Sequence, residues 1–480
     1  MNYRLIFSTL ARVIRVEAIL LLLPLAVSAI YGENCFYAFL ITAVGAYLLG
    51  TVLKIVCKPK TQYFYSKDGL ITVALTWLSV SVIGAIPFVI SGEIPSFIDA
   101  FFETVSGFTT TGATILENVE GLSNGLLFWR SFTHWIGGMG VLVFIMAITS
   151  KTTDRPIHIL RAEMPGPSVD KLVPSSKDTA KILYLIYVVL TVVLIILLWL
   201  GDMNLFESVI HAFGTAGTGG FGVKNNSIVN YSSYSQWVIA IFMLIFGMNF
   251  NLFYLILIKK VGTALKSTEL RYYLFIVLTS TVLITFNIYP AYENAGEAIR
   301  HAFFQTSSIM TTTGFSTQDF NAWPTLSKII LFVLMLIGGC SGSTAGGFKV
   351  SRLVVIFKKI KAELKKVLHP NTISVIKMDG EKVSDGVLGG IVNYLAVYVV
   401  CFISITLLIS FDGFDFEATF SATAACFNNV GPAFSVAGPM CSYADFTPFS
   451  KIILSLAMLL GRLEIYPLLL ALTPSTWFKK

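Results

Sequence analysis

Ten apolar runs, each long enough to cross a bilayer, occupy most of this 480-residue chain, at about 13–31, 36–57, 71–91, 126–150, 180–201, 236–259, 271–290, 328–357, 388–411 and 450–473. A helix needs roughly 20 apolar residues to cross the hydrocarbon core. Inside it, only helices and closed barrels satisfy their own backbone polar groups. The composition agrees: 55% of residues are hydrophobic and 13% are charged, against about 25% charged in a soluble domain. The runs predict an all-α integral membrane protein of ten spans. At the N-terminus, Arg4, Arg12 and Arg15 precede an apolar run, and Ala26-Val27-Ser28-Ala29 resembles a signal-peptidase site. A second run follows at once from Phe36, so the expectation is a retained helical hairpin.

Four short polar stretches punctuate the runs: Thr109-Thr110-Thr111-Gly112, Gly217-Thr218-Gly219-Gly220, Thr311-Thr312-Thr313-Gly314 and Asn428-Asn429-Val430-Gly431. Each follows an apolar segment too short to span and precedes a long run. Aligned on the glycines, position −11 is Phe101, Val209, Phe303 and Phe420, and position −2 is Thr110, Thr218, Thr312 and Asn429. Long internal repeats imply one unit copied around an axis. The sequence therefore predicts two N-terminal helices (1–66) followed by four helix–pore half-helix–filter loop–helix repeats around one pore. Their expected bounds are 67–155, 156–265, 266–382 and 383–480. Irregular backbone at membrane depth survives only where it lines an enclosed cavity, and glycine permits the dihedrals such a loop needs.

The formal net charge is +7, but the basic residues sit in alternate loops. Lys54, Lys58 and Lys60 follow the second run, Lys151, Arg155 and Arg161 the fourth, Lys259, Lys260 and Lys266 the sixth, and Lys349, Arg352, Lys358, Lys359 and Lys361 the eighth. This is a topology signal, not a nucleic-acid site. It places both termini in the cytoplasm and opens the glycine loops outward, where acids such as Glu93, Asp99, Glu103, Asp202, Glu207, Asp412 and Glu417 predict an acidic, cation-concentrating vestibule. Cys35, Cys57, Cys340, Cys401, Cys426 and Cys441 form no CxxC pair and no metal spacing; they read as isolated membrane cysteines. No nucleophile, metal or acid–base cluster marks an enzyme.

A weakly hydrated monovalent cation crosses a membrane where rings of backbone carbonyls replace its hydration shell. Half-helices whose negative C-terminal ends face inward favour that cation. The candidate filter residues are Thr110, Thr111, Gly112, Thr218, Gly219, Gly220, Thr312, Thr313, Gly314, Asn429, Val430 and Gly431, with potassium held by their carbonyls and no covalent cofactor. No Asp or Glu ring accompanies them, which argues against a divalent filter. Internal repeats and broken helices also suit a secondary potassium carrier coupled to Na+ or H+.

The four glycine stretches, Trp135-Ile136-Gly137-Gly138-Met139-Gly140, Gly247-Met248-Asn249-Phe250, the glycine-rich run from Gly338 and Gly461-Arg462-Leu463-Glu464 together resemble the TrkH/KtrB superfamily of bacterial potassium-uptake channels. The resemblance covers essentially the whole length. The N-terminal hairpin is similar to the TrkH branch. The resemblance implies one filter glycine per repeat, and Gly112, Gly220, Gly314 and Gly431 all match; sodium-selective plant relatives carry serine at the first. It also implies a homodimer with one pathway per chain, a cytosolic TrkA-type nucleotide-binding ring as regulator, and residence in the bacterial cytoplasmic membrane.

Gly338, Gly339, Ser341, Gly342, Ser343, Thr344, Gly346 and Gly347 lie inside the eighth run. They lack the GK[ST] of a phosphate loop, and each glycine weakens a helix by up to about 1 kcal/mol relative to Ala. The span is expected to break there, and the resemblance implies a mobile gate. Arg462 is an intramembrane charge, which marks a pathway or an ion pair. Glu464 stands two residues on, on another helix face, and the resemblance implies that Arg462 projects into the pore as an electrostatic barrier. Glu103, His211 and Gln305 share one half-helix position and are expected to hydrogen-bond behind the filter. Asn249 and Asn251 are expected to join helices, and His134 to lie near the outer interface.

Overall fold

The computed structural model describes residues 1–59, 65–140, 176–372 and 374–477. The chain opens with α1 (Tyr3–Leu20) and α2 (Leu22–Tyr31), which form one span with a joint at Leu21, then α3 (Cys35–Val56). The joint has a local cause: Pro24 has no N–H to continue the ladder. α1 packs along α3 and α4 (Ser66–Ser91). Gly50 of α3 sits against the backbone of Ala11 and the stem of Arg15. The expected N-terminal hairpin is therefore part of the folded body.

α5 (Phe97–Phe108), α6 (Asn124–Gly138), α7 (Ser176–Trp199), α8 (Leu205–Gly217), α9 (Ser233–Phe246), α10 (Phe250–Leu257) and α11 (Val261–Leu265) follow. Then come α12 (Thr268–Ile288), α13 (Ala295–Met310), α14 (Thr325–Ile337), α15 (Val350–Leu368), α16 (Asp385–Ile409), α17 (Phe416–Phe427), α18 (Pro448–Arg462) and α19 (Tyr466–Leu472).

α5, α8, α13 and α17 are the four short elements. At 12 to 16 residues and 1.5 Å per residue they reach about 18–24 Å, too short to span. Each opens on a side-chain cap that satisfies a first-turn N–H: Ser96 accepts from Asp99, Asn204 from Glu207, Asn294 from Gly296 and Asp415 from Ala418.

Two expectations need correction. Among the described residues, six helical segments are long and apolar enough to cross a membrane, and one further pair would qualify as a bent span. The expected runs 236–259, 328–357 and 450–473 are each interrupted, and 126–150 extends beyond the described residues. α9 and α10 meet at 91° across Gly247–Asn249. α14 and α15 are separated by residues 338–349, and α18 and α19 by residues 463–465. The break at 338–349 is the one the glycine-rich run predicts; apolar residues flank the breaks at 247–249 and 463–465 on both sides, so composition conceals those two. The chain is also not wholly helical: Lys377–Met378 pairs antiparallel with Glu381–Lys382.

Candidate ion pathway

The four half-helices end in the same way. The N–H of Thr110, Thr218, Thr312 and Asn429 bonds the carbonyl three residues back. The N–H of Thr111, Gly219, Thr313 and Val430 bonds the carbonyl five residues back, at 2.8–2.9 Å. The four glycine-minus-two residues all take positive φ, 55–59°, and Gly112, Gly220, Gly314 and Gly431 take 79–91°. A side chain in that region costs about 1–2 kcal/mol, which the Thr and Asn bear; at the glycines a β-carbon would also meet the neighbouring stretch. Among the described residues, no donor reaches the carbonyls of the four glycine-minus-one or the four glycine-minus-two residues.

The stretches close on one another. A β-carbon on Gly112 would run into the carbonyl oxygen of Gly219, one on Gly220 into that of Thr313, one on Gly314 into that of Val430, and one on Gly431 into that of Thr111. Each stretch thus abuts the next, and the fourth returns to the first. Asn429 strengthens this closure, its amide donating to Thr111 Oγ1 at 3.0 Å and to Met458 O at 2.9 Å. One cavity is lined by all four glycines.

Support behind the stretches differs from one to the next. Glu103 lies buried and accepts from Ile115 N at 3.0 Å, from Thr114 Oγ1 and from Arg130 Nε at 2.7 Å. Arg130 in turn covers the Phe221 ring. Gln305 reaches Gln318 O at 3.5 Å. His211 bonds instead to Glu207 O of its own helix, its ring edge-on to Tyr231. His134 is not interfacial: it is fully buried, with Nδ1 2.7 Å from Gly107 O and its ring against Phe221. Ten residues into α6 it lies about 15 Å below the helix start. Tyr443, unnoticed in the sequence, donates to Gly431 O at 2.8 Å.

The outer acids do not line this cavity. Its walls carry Arg130 and Lys224 and no carboxylate. The acids instead serve helix starts and ion pairs: Asp412 binds Thr447 and Glu93 the N–H of Ser123, while Asp99 pairs with Lys451 at 2.7 Å and Glu417 with Lys328 at 2.6 Å. Partial burial pushes the Asp202 carboxyl up, but hydrogen bonds from Ser232 and Ser235 outweigh it and hold the group below its ordinary range. The expected acidic vestibule is thus not found at the glycines.

Residues 338–349 fold back against the stretches. Gly338 and Gly347, both at positive φ, lie against each other where the two stems cross. Gly339 faces Gly247 O, and Ser343 Oγ bonds Cys340 O. The Gly342 carbonyl accepts from Phe250 N, and Thr344 bonds Phe246 O. Gly346 N donates to Thr312 Oγ1 at 2.7 Å, which joins the loop to the third stretch. Asn249 caps α10 by accepting from Asn251 N and borders Gly342; this replaces its expected role between helices.

Arg462 ends α18 and gathers three carbonyls, Thr344 O at 2.8 Å, Gly137 O at 2.5 Å and Gly138 O at 2.8 Å. It thereby joins the fourth unit to the loop and to the end of α6. Glu464 pairs with Arg352 instead. Lys349, Arg352 and Glu269 are all buried here. The sequence had placed both cations among the cytoplasmic loop charges.

Comparison with known proteins agrees with this geometry. Residues 36–479 match the profile of the TrkH family, described as a cation transport protein. The Trk system potassium uptake protein TrkH of Salmonella typhimurium is 35% identical, over 98% of this chain and 99% of its own. The Trk system potassium uptake protein TrkG of Escherichia coli is 33% identical, over 95% and 94%. The crystal structure of the potassium transporter TrkH from Vibrio parahaemolyticus superposes with a TM-score of 0.90 at 30% identity, covering both chains completely. Transport is not an enzyme class, and the apolar helices make this a multi-pass membrane protein. The chain belongs to the TrkH family of cation transport proteins.

Proposed function

We propose that this chain is the potassium-conducting subunit of an uptake system in a bacterial cytoplasmic membrane. The observation that carries the reading is the closed cycle of Gly112, Gly220, Gly314 and Gly431, each packed on the carbonyl before the next glycine. With no described donor on those carbonyls, they are available to a dehydrated cation. Potassium is the cargo, held in the ring formed by Thr110, Thr111, Gly112, Thr218, Gly219, Gly220, Thr312, Thr313, Gly314, Asn429, Val430 and Gly431. Four units, 67–155, 156–265, 266–382 and 383–480, surround one pathway.

The loop from Gly338 to Gly347 and the Arg462 guanidinium form the gate. The loop lies against the third stretch and Arg462 against the loop and the end of α6, so either closes the path: the loop by volume, Arg462 by charge. Unit charges 4 Å apart interact by about 4 kcal/mol at an effective dielectric of 20. Both termini lie in the cytoplasm, where a nucleotide-binding ring governs the gate. The relatives' names place them in a Trk system for potassium uptake, which supports potassium as the cargo.

Uptake of radioactive rubidium into liposomes holding the purified chain tests the reading. Unlabelled potassium should compete and equal sodium should not; equal competition by both would overturn it.

A further inference from the structure

Glu269, in the first turn of α12, is a buried carboxylate beside the intramembrane loop. One of its oxygens, Oε1, accepts from Ser341 N at 2.7 Å and from Ser351 N at 3.1 Å. Ser341 lies where the intramembrane loop leaves α14, and Ser351 where it has joined α15. Their hydroxyls also bond each other. Glu269 therefore staples the two ends of the loop together from outside it.

The helix that carries Glu269 is itself held from the cytoplasmic side. Its N-cap residue, Ser267, supplies no side-chain cap. Instead Asp379 Oδ1 accepts from Thr268 N at 2.5 Å, and Asp379 N donates to Thr268 Oγ1 at 3.4 Å. Asp379 belongs to the turn of the Lys377–Lys382 hairpin. With Gly380 it takes φ of 48° and 89°, the Asp-Gly pattern of a tight hairpin turn. Lys358 of α15 fastens the hairpin by donating to Lys377 O at 2.8 Å. Asp379 is exposed, and Thr268 and Glu269 are consecutive. One exposed turn, one helix start and one buried carboxylate thus connect the cytoplasmic face to both loop ends.

We infer that Glu269 is the positioning residue that latches the intramembrane loop shut, and that the Asp379–Gly380 turn sets the latch by capping α12. A force on the hairpin from the cytoplasm uncaps α12, shifts Glu269 and frees both loop ends together. The inference rests on the gate reading above and adds the device that works it.

Rubidium flux through the purified chain in liposomes, with no other protein present, tests it. Glu269→Ala should raise flux by about tenfold or more, since even one of its two charge-assisted hydrogen bonds corresponds to about that factor. Glu269→Gln keeps the accepting oxygen and should stay within about twofold of the parent, well below what the loss of such a bond gives. Asp379→Ala should raise flux less than Glu269→Ala and add nothing to it in the double variant. Potassium-over-sodium preference should persist in all of them. Arg462→Ala in the same preparation separates the two claims. If it raises flux and Glu269→Ala does not, the latch is wrong and the gate stands. If neither does, the gate reading fails. Glu269→Gln as leaky as Glu269→Ala would overturn the acceptor role, Asp379→Ala at the parent level would overturn the hairpin link, and lost preference would show that Glu269 acts on the glycine stretches instead.

Discussion

At Gly112 a β-carbon would collide with the Gly219 carbonyl oxygen, and the residue sits at φ +81°. Gly112→Ser must therefore push the second stretch away as well as strain its own backbone, by about 1–2 kcal/mol. It is expected to admit sodium, read as a fall in the potassium-to-sodium permeability ratio, while Leu-for-Ile exchanges on outer helices leave that ratio alone. Glu103→Ala removes the acceptor for Ile115 N, Thr114 and Arg130 at once and leaves a buried guanidinium unpaired. Breaking a buried pair from one side costs about 3–5 kcal/mol, so thermal unfolding in detergent should shift down clearly. Glu103→Gln, which keeps acceptor capacity, should lose less. The glycines were legible in sequence because a backbone at positive φ leaves a compositional trace. Glu269, Lys349, Arg352 and Tyr443 were not. The burial of Glu269, Lys349 and Arg352 follows from a loop folding back on itself, and charges beside an apolar run read as ordinary cytoplasmic residues; Tyr443 sits in a loop with no motif of its own.

The elements that follow the half-helices are where hydropathy misled. α9 and α10 are apolar on both sides of a 91° turn, so nothing in their composition marks the bend except Gly247 and Asn249. Gly247 packs its bare backbone against Thr311 and the Tyr273 hydroxyl. Asn249 starts the next helix by capping it. Only the run from Gly338 to Gly347 carried enough small residues to predict a break. The half-helices were legible because short length and a terminal glycine recur four times; their caps were not read. Their bonding behind the stretches was legible at Glu103 and not at His211, whose Nδ1 bonds within its own helix. Shortening the loop removes a steric obstruction, and Arg462→Ala removes a charge that bridges Thr344, Gly137 and Gly138. Both should raise rubidium uptake by the chain alone with selectivity kept. Uptake unchanged in both, with intact protein, would place the gate elsewhere.

For the whole molecule, the cycle of four stretches closes within one chain, so no second copy is needed to complete it. A homodimer should carry two independent pathways. In dimers mixing parent and Gly112→Ser chains, half the flux should keep its potassium preference; a uniform intermediate preference would indicate a shared path. The proposed pore depends on the carbonyl ring as a potassium site open to passive flow. The reversal potential of the purified chain in liposomes, with potassium and sodium gradients opposed, tests that most directly. It should lie close to the potassium equilibrium potential and stay there when a proton gradient is imposed. A value near zero would contradict selectivity, and one that moves with the proton or sodium gradient would show coupled transport in place of a pore.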